Sequence, residues 1–213
     1  MRLGESSGTT AVDTAGFNDG AVSSGVTRGA AGAITGDANK ASTFNGTTTG
    51  LVATQAPVPA PGTFTIEAWF KTTTTSGGKI LGFGNVPVGT SPFFDRHLYM
   101  DNTGKILFGV YAGGIRTVTS PKAYNNGAWH QAVATLGPLG MNLYIDGAIV
   151  TSRTDVKTAQ VANGFWRVGG DNLSGWTSVP TSRYFNGSID EVSIYPTVLK
   201  ASQVQAQFVA GTT

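Results

Sequence analysis

Cysteine is absent from this 213-residue chain, which excludes disulfides, zinc–thiolate sites and thiol catalysis. Charge is scarce too: Asp, Glu, Lys and Arg make up 12% of residues, about half of the ~25% usual in globular domains. The 14 basic and 12 acidic residues are scattered singly and sum to +2. No basic stripe exists for a nucleic acid to follow, so no nucleic-acid partner is expected. Glutamate occurs only at Glu5, Glu67 and Glu191, and histidine only at His97 and His130. That leaves few candidates for the paired carboxylates of glycoside hydrolysis. Gly4-Glu5-Ser6-Ser7-Gly8 has G-x-S-x-G spacing but lacks the preceding strand and following helix of a nucleophile elbow. There is no phosphate-binding loop. No apolar run is long enough to span a bilayer, so no membrane insertion is expected. Arg2 and Glu5 lead into polar residues and not into the apolar core of a signal peptide. The chain reads as a domain excised from a longer protein whose targeting signal lies elsewhere.

Glycine, at 30 residues, is plentiful, and turn signals recur between short β-rich runs. Residues 4–42 are small and polar and suggest a meandering opening segment with little regular structure. Strands are expected at Leu51–Thr54, Phe64–Lys71, Lys79–Phe83, His97–Met100, Lys105–Tyr111, Ile115–Thr119 (ended by Pro121), Ala128–Leu136, Met141–Ile145, Ala148–Arg153, Phe165–Val168 and Ser188–Tyr195. Asp146-Gly147 is a type I′ hairpin signal. Only Ala201–Val209 looks helical, with Val204 and Phe208 spaced i, i+4 and Gly211 suited to a stop just past the end. No internal repeat or domain boundary appears. About a dozen strands and one helix predict an all-β, two-sheet antiparallel jelly-roll β-sandwich with one short C-terminal helix, forming a single domain over 1–213.

The stretch Tyr184–Leu199 holds an anomaly. Two carboxylates, Asp190 and Glu191, interrupt an apolar strand, and alternation aims Asp190 the same way as Val192 and Ile194. Ile189 and Val192 cannot share a face without a bulge. A carboxylate pointing into the core is costly unless paired or bound to a metal, so a structural cation is expected there.

Several segments, in order, carry a family resemblance: Phe64–Lys71 (FTIEAWFK), Trp129–Ala134 (WHQAVA), Leu143–Gly147 (LYIDG), Val168–Asp171 (VGGD), Gly187–Tyr195 (GSIDEVSIY), and the closing Leu199 with Ala201–Val204. Together they resemble the laminin-G-like branch of the concanavalin A-like lectin/glucanase superfamily, in the style of bacterial (actinobacterial or phage) multidomain proteins. Lys200 departs from the pattern where the family often places a Ser helix cap. The resemblance implies a jelly roll that binds glycans or extracellular partners, is non-catalytic, and often carries calcium near the chain ends. The Glu-x-Asp-x-(x)-Glu strand of the jelly-roll glucanases is missing.

On that pattern Asp19 and Asp190 are the best calcium ligands, with Asn18 and carbonyls near 36–38 assisting. Calcium takes 6–8 oxygens, and a glycine-rich loop can aim carbonyls at it. Candidate sugar contacts lie in the 91–99 loop (Arg96 and Tyr99, with Phe93, Phe94, Asp95 and His97 beside them) and the 167–184 loop (Asp171, Trp176 and Arg183, with Arg167, Asn172 and Tyr184 nearby). Trp176, in a Gly/Ser/Pro loop, is expected to be the exposed aromatic, whereas Trp69, Trp129 and Trp166 are expected in the core and His130 in a structural role. The expectation is an extracellular or cell-surface lectin-like module: a monomer, joined to other domains of its parent chain, binding a glycan or cell-surface polysaccharide. A protein-interaction or spacer module of an adhesin or phage tail is the rival, and a polysaccharide hydrolase or lyase the remote one.

Overall fold

A computed structural model describes all of residues 1–213. Sixteen strands and one helix follow in order. They are β1 (Thr10–Ala11), β2 (Gly20–Val22), β3 (Val26–Ala31), β4 (Lys40–Asn45), β5 (Val52–Thr54), β6 (Val58–Pro59), β7 (Phe64–Lys71), β8 (Gly78–Gly84), β9 (Phe94–Met100), β10 (Lys105–Tyr111), β11 (Ile115–Ala123), β12 (Trp129–Gly137), β13 (Gly140–Ile145), β14 (Ala148–Arg153), β15 (Asn163–Val168), β16 (Asn186–Tyr195) and α1 (Ala201–Thr212). All pairings between these strands are antiparallel. A nine-stranded sheet runs β1-β2-β5-β15-β8-β9-β10-β11, with β6 also on β15, and a seven-stranded sheet runs β14-β13-β12-β7-β16-β4-β3. This is the expected sandwich. No helix is long and apolar enough to cross a membrane.

Alternation builds the core. On β7, Phe64, Ile66, Ala68 and Phe70 point inward, and on β10 Ile106, Phe108 and Val110 meet them from the other sheet. Phe64 packs edge-on against Phe108 at 6.0 Å. The opposite faces carry the alternate residues: Thr65, Glu67 and Trp69 on β7, and Leu107 and Gly109 on β10.

Four local expectations change. Residues 10–45 form β1 to β4, with small side chains sealed by long-range pairing rather than by their own hydrophobicity. β11 continues through Pro121 to Ala123; as an edge strand it can tolerate the missing N–H. Gly211 lies inside the last turn of α1, where a Cβ would approach the Trp69 ring to 2.8 Å. Its role is this close approach, and Phe208 stacks on the same indole at 5.7 Å. At the helix start Lys200 supplies no side-chain cap, and its N–H donates to Gln203 Oε1. Finally, Trp129 is only half-buried, whereas Trp69 and Trp166 are buried as expected, Trp166 in the main cluster and Trp69 stacked against Phe208 of α1.

The hairpin at Asp146-Gly147 forms as expected, both residues having positive φ (53° and 76°). The phase slip in β16 is resolved by a bulge. Register shifts between Asp190 and Ser193, Glu191 adopts φ 49°, and both Ile189 and Val192 reach the core. Asp190 therefore does not point inward with Val192. It pairs with Trp69 on the outer face and is buried there by the 30s segment.

Candidate functional site

The residues expected to hold calcium are engaged by different segments. Asn18 exchanges hydrogen bonds with the Ala56 backbone, its amide donating to the carbonyl (2.7 Å) and its Oδ1 accepting from the N–H (2.9 Å). Asp19 Oδ1 accepts from the Asp13 N–H. Asp190 accepts from the N–H of Ala33 (2.8 Å) and of Glu191 (3.0 Å). It makes no ion pair within 4 Å, and burial pushes its pKa up to about 6. Arg2 bridges Asp37 and Glu191 beside it. No group of three or more His, Asp or Glu side chains is placed to hold a metal.

The expected sugar contacts lie mostly beneath the surface. Arg96 is fully buried with φ 54°. It pairs with Asp95 at 2.7 Å and donates to the carbonyls of Pro61 and Gln160. Tyr99 is buried, its hydroxyl donating to the Thr177 carbonyl at 2.5 Å, and burial raises its pKa. Asp171 is buried and accepts from the N–H groups of Ser91 and Asn172. Trp176 is not the exposed aromatic: it is 6% exposed and stands edge-on to His97, centroids 4.3 Å apart. The reason is Gly109 on β10, where a Cβ would come within 2.6 Å of the indole. The missing side chain makes the indole's seat. Arg183 is exposed, and its carbonyl accepts the Lys79 N–H.

These buried groups fasten two loops, 85–93 and 171–182, over the outer face of the nine-stranded sheet. Where β8 ends, β9 begins and residues 160–163 lead into β15, a cleft of about 300 Å³ opens. Phe83 and Phe94 line it together with Asn85, Asp95, Gln160 and Asn163. At its mouth Phe93 is 70% exposed and Val161 is 99% exposed. Asn85 Oδ1 accepts the Phe93 N–H at 3.1 Å and sets that aromatic's position. Arg96 holds both Asp95 and the Gln160 carbonyl from below. Phe93, Phe94 and Asp95 belong to the loop singled out above. Asn85, Gln160, Val161 and Asn163 do not, because nothing local distinguishes three amides and a valine in loops; an apolar Val161 amid polar neighbours is the one faint signal.

Residues 45–205 match the sequence pattern of the concanavalin A-like lectin/glucanases superfamily, well over half of the chain. The chain belongs to this superfamily. No curated protein matches the sequence. Among solved structures, the botulinum neurotoxin serotype G binding domain superposes with a TM-score of 0.65 at 13% identity, covering 93% of this chain and 48% of that one. The Limulus polyphemus SAP-like pentraxin gives 0.57 at 17%, covering 79% and 80%. The Ruminococcus gnavus IT-sialidase CBM40, bound to alpha2,3 sialyllactose, gives 0.52 at 21%, covering 70% and 84%. This superfamily member thus spans about half the length of the toxin binding domains it resembles. At these identities the likeness is one of fold, and the neighbours are mainly binding domains.

Proposed function

We propose that this domain is a non-catalytic, extracellular carbohydrate-binding module that seats a sugar in the cleft beside Phe93. The observation that carries the reading is an exposed aromatic beside planar amides and a carboxylate in one cleft: Phe93 with Asn85, Asp95, Gln160 and Asn163. Ligand sites combine apolar walls with a few placed polar groups, and amides and carboxylates supply the paired donors and acceptors that sugar hydroxyls need. Arg96 serves from beneath by positioning Asp95 and Gln160, while Tyr99, Asp171 and Trp176 hold the flanking loops. Glycan binding by relatives of this fold, such as the sialyllactose-bound CBM40, supports the class of ligand. The module would act within a longer secreted or surface protein.

Calcium enters this proposal only at Asp190, whose buried charge no ion pair balances; Asn18 and Asp19 are occupied elsewhere. Its ligands would be Asp190 and backbone carbonyls, and its work would be to tie the 30s segment to β16. Melting in calcium and in excess chelator tests it: a calcium-restored rise supports the ion, and identical curves remove it.

Binding to a glycan array by the wild type and Phe93→Ala tests the sugar site. We expect at least a tenfold loss in the variant. No bound glycan, or equal binding by both proteins, would leave the spacer reading in its place.

A further inference from the structure

Eight buried side-chain nitrogen and oxygen atoms lack a hydrogen-bond partner, and five lie in one cluster: Lys79 Nζ, His97 Nδ1 and Nε2, Arg167 Nε and Asp171 Oδ2. All four residues are fully buried on the outer face of the nine-stranded sheet, beneath the two loops. Unmet buried polar groups are rare in folded proteins, and each calls for a water, an ion or a ligand.

The imbalance has a sign. Lys79 Nζ lies 3.7 Å and Arg167 Nε 3.5 Å from the same Asp171 oxygen, so two cations share one carboxylate. The other Asp171 oxygen is taken by backbone N–H groups. The terminal nitrogens of Arg167 are spent on the carbonyls of Val86 and Gly89. One positive charge is unbalanced, and idle donors outnumber idle acceptors. Space for the cluster comes from β8: a Cβ on Gly82 would meet His97 Nδ1 at 2.8 Å, and one on Gly84 would collide with Asp171 and Ser91.

Phe94 separates this cluster from the cleft. Its ring lines the cleft, and its centroid lies 6.0 Å from the Lys79 ammonium and 5.8 Å from the His97 ring centroid. Phe94 is half-buried, and access to the cluster from the cleft requires that one side chain to turn aside.

We propose that the Lys79–His97–Arg167 cluster is the inner subsite of the cleft and takes the carboxylate of an acidic sugar, such as a uronic acid. This deepens the glycan reading and rests on it. One carboxylate oxygen meets Lys79 and Arg167, and the other accepts from the imidazole N–H. Burial holds the Lys79 pKa down to about 7. An arriving anion raises it again, so binding near pH 8 draws a proton from solution.

The test is an array of acidic glycans printed beside their carboxyl-methyl esters, probed with the wild type and Lys79→Met. The wild type is expected to prefer free acids at least tenfold and Lys79→Met to bind both forms alike. The ester comparison needs no variant, and calorimetry in buffers of different ionisation enthalpy reads the proton uptake independently. Equal binding of acids and esters by the wild type, or an acid preference kept by Lys79→Met, overturns the acidic subsite and leaves the glycan reading standing. No binding to any glycan overturns both.

Discussion

Lys79→Met should make the protein more stable, by an amount that depends on pH. The Lys79 side chain is fully buried and its ammonium has no hydrogen bond; its only ion-pair partner, Asp171, is 3.7 Å away. Lowering its pKa from 10.5 to about 7 corresponds, at 1.36 kcal/mol per pH unit, to about 5 kcal/mol of penalty on the charged form. Methionine has similar length and removes that penalty, but Asp171 then keeps only Arg167, at 3.5 Å. Replacing buried charge by an apolar side chain typically gains about 1–4 kcal/mol. We expect a net gain of about 2 kcal/mol, or about 4–8 °C in Tm for a domain this size. The sign of the pH dependence follows from the direction of the shift. A lysine with a depressed folded pKa is a burden fully present below pH 7 that fades as pH rises toward 10.5. Wild-type stability should therefore rise from pH 7 to 9.5 relative to the variant, and the gap should shrink. Urea unfolding of both proteins at pH 6, 7.5 and 9.5 measures it. A variant less stable than wild type at pH 6, or a gap constant across the series, would refute the reasoning.

Three further outcomes can be checked. Gly109→Ala puts a Cβ within 2.6 Å of the Trp176 ring; overpacking should cost about 1–3 kcal/mol and change the tryptophan emission spectrum. Burial raises the Glu67 pKa to about 6, so stability from this group falls as pH rises from about 4.5 to 6. Glu67→Gln should flatten that slope and add about 2 kcal/mol at pH 7, because Gln131 can still donate to the amide oxygen. Arg96→Met leaves Asp95 buried without its ion-pair partner, which should cost about 3–5 kcal/mol and be seen as a large fall in the urea midpoint.

Much of the sandwich can be read locally. Phe64–Lys71, Lys105–Tyr111 and Ala148–Arg153 alternate or end at strong turns, and the strands have those bounds. The bulge in β16 is legible as well, since Ile189 and Val192 both demand the core. Its consequence for Asp190 was not, because the bulge frees Asp190 to take the outer face. β1 to β4 escape a local reading since their residues are small and polar, and they become strands only by pairing with distant partners such as β5 and β16. Trp176 misleads for the same kind of reason: its burial is decided by Gly109, 67 positions earlier on another strand. The cleft draws on residues 83–95 and 160–163, which only the pairing of β15 with β8 brings together. Lys79 heads an apolar strand, where a lysine ordinarily marks the solvated end. The loop covering it comes from the far side of the sheet's sequence.

The central claim is that a sugar sits against Phe93. The most direct measurement is calorimetric titration of the wild type and Phe93→Ala with the best-bound glycan from the array. Phe93 is largely exposed, so its loss should leave Tm within about 2 °C. The account predicts saturable binding by the wild type and at least tenfold weaker binding by the variant. Unchanged affinity in a folded Phe93→Ala protein would contradict it.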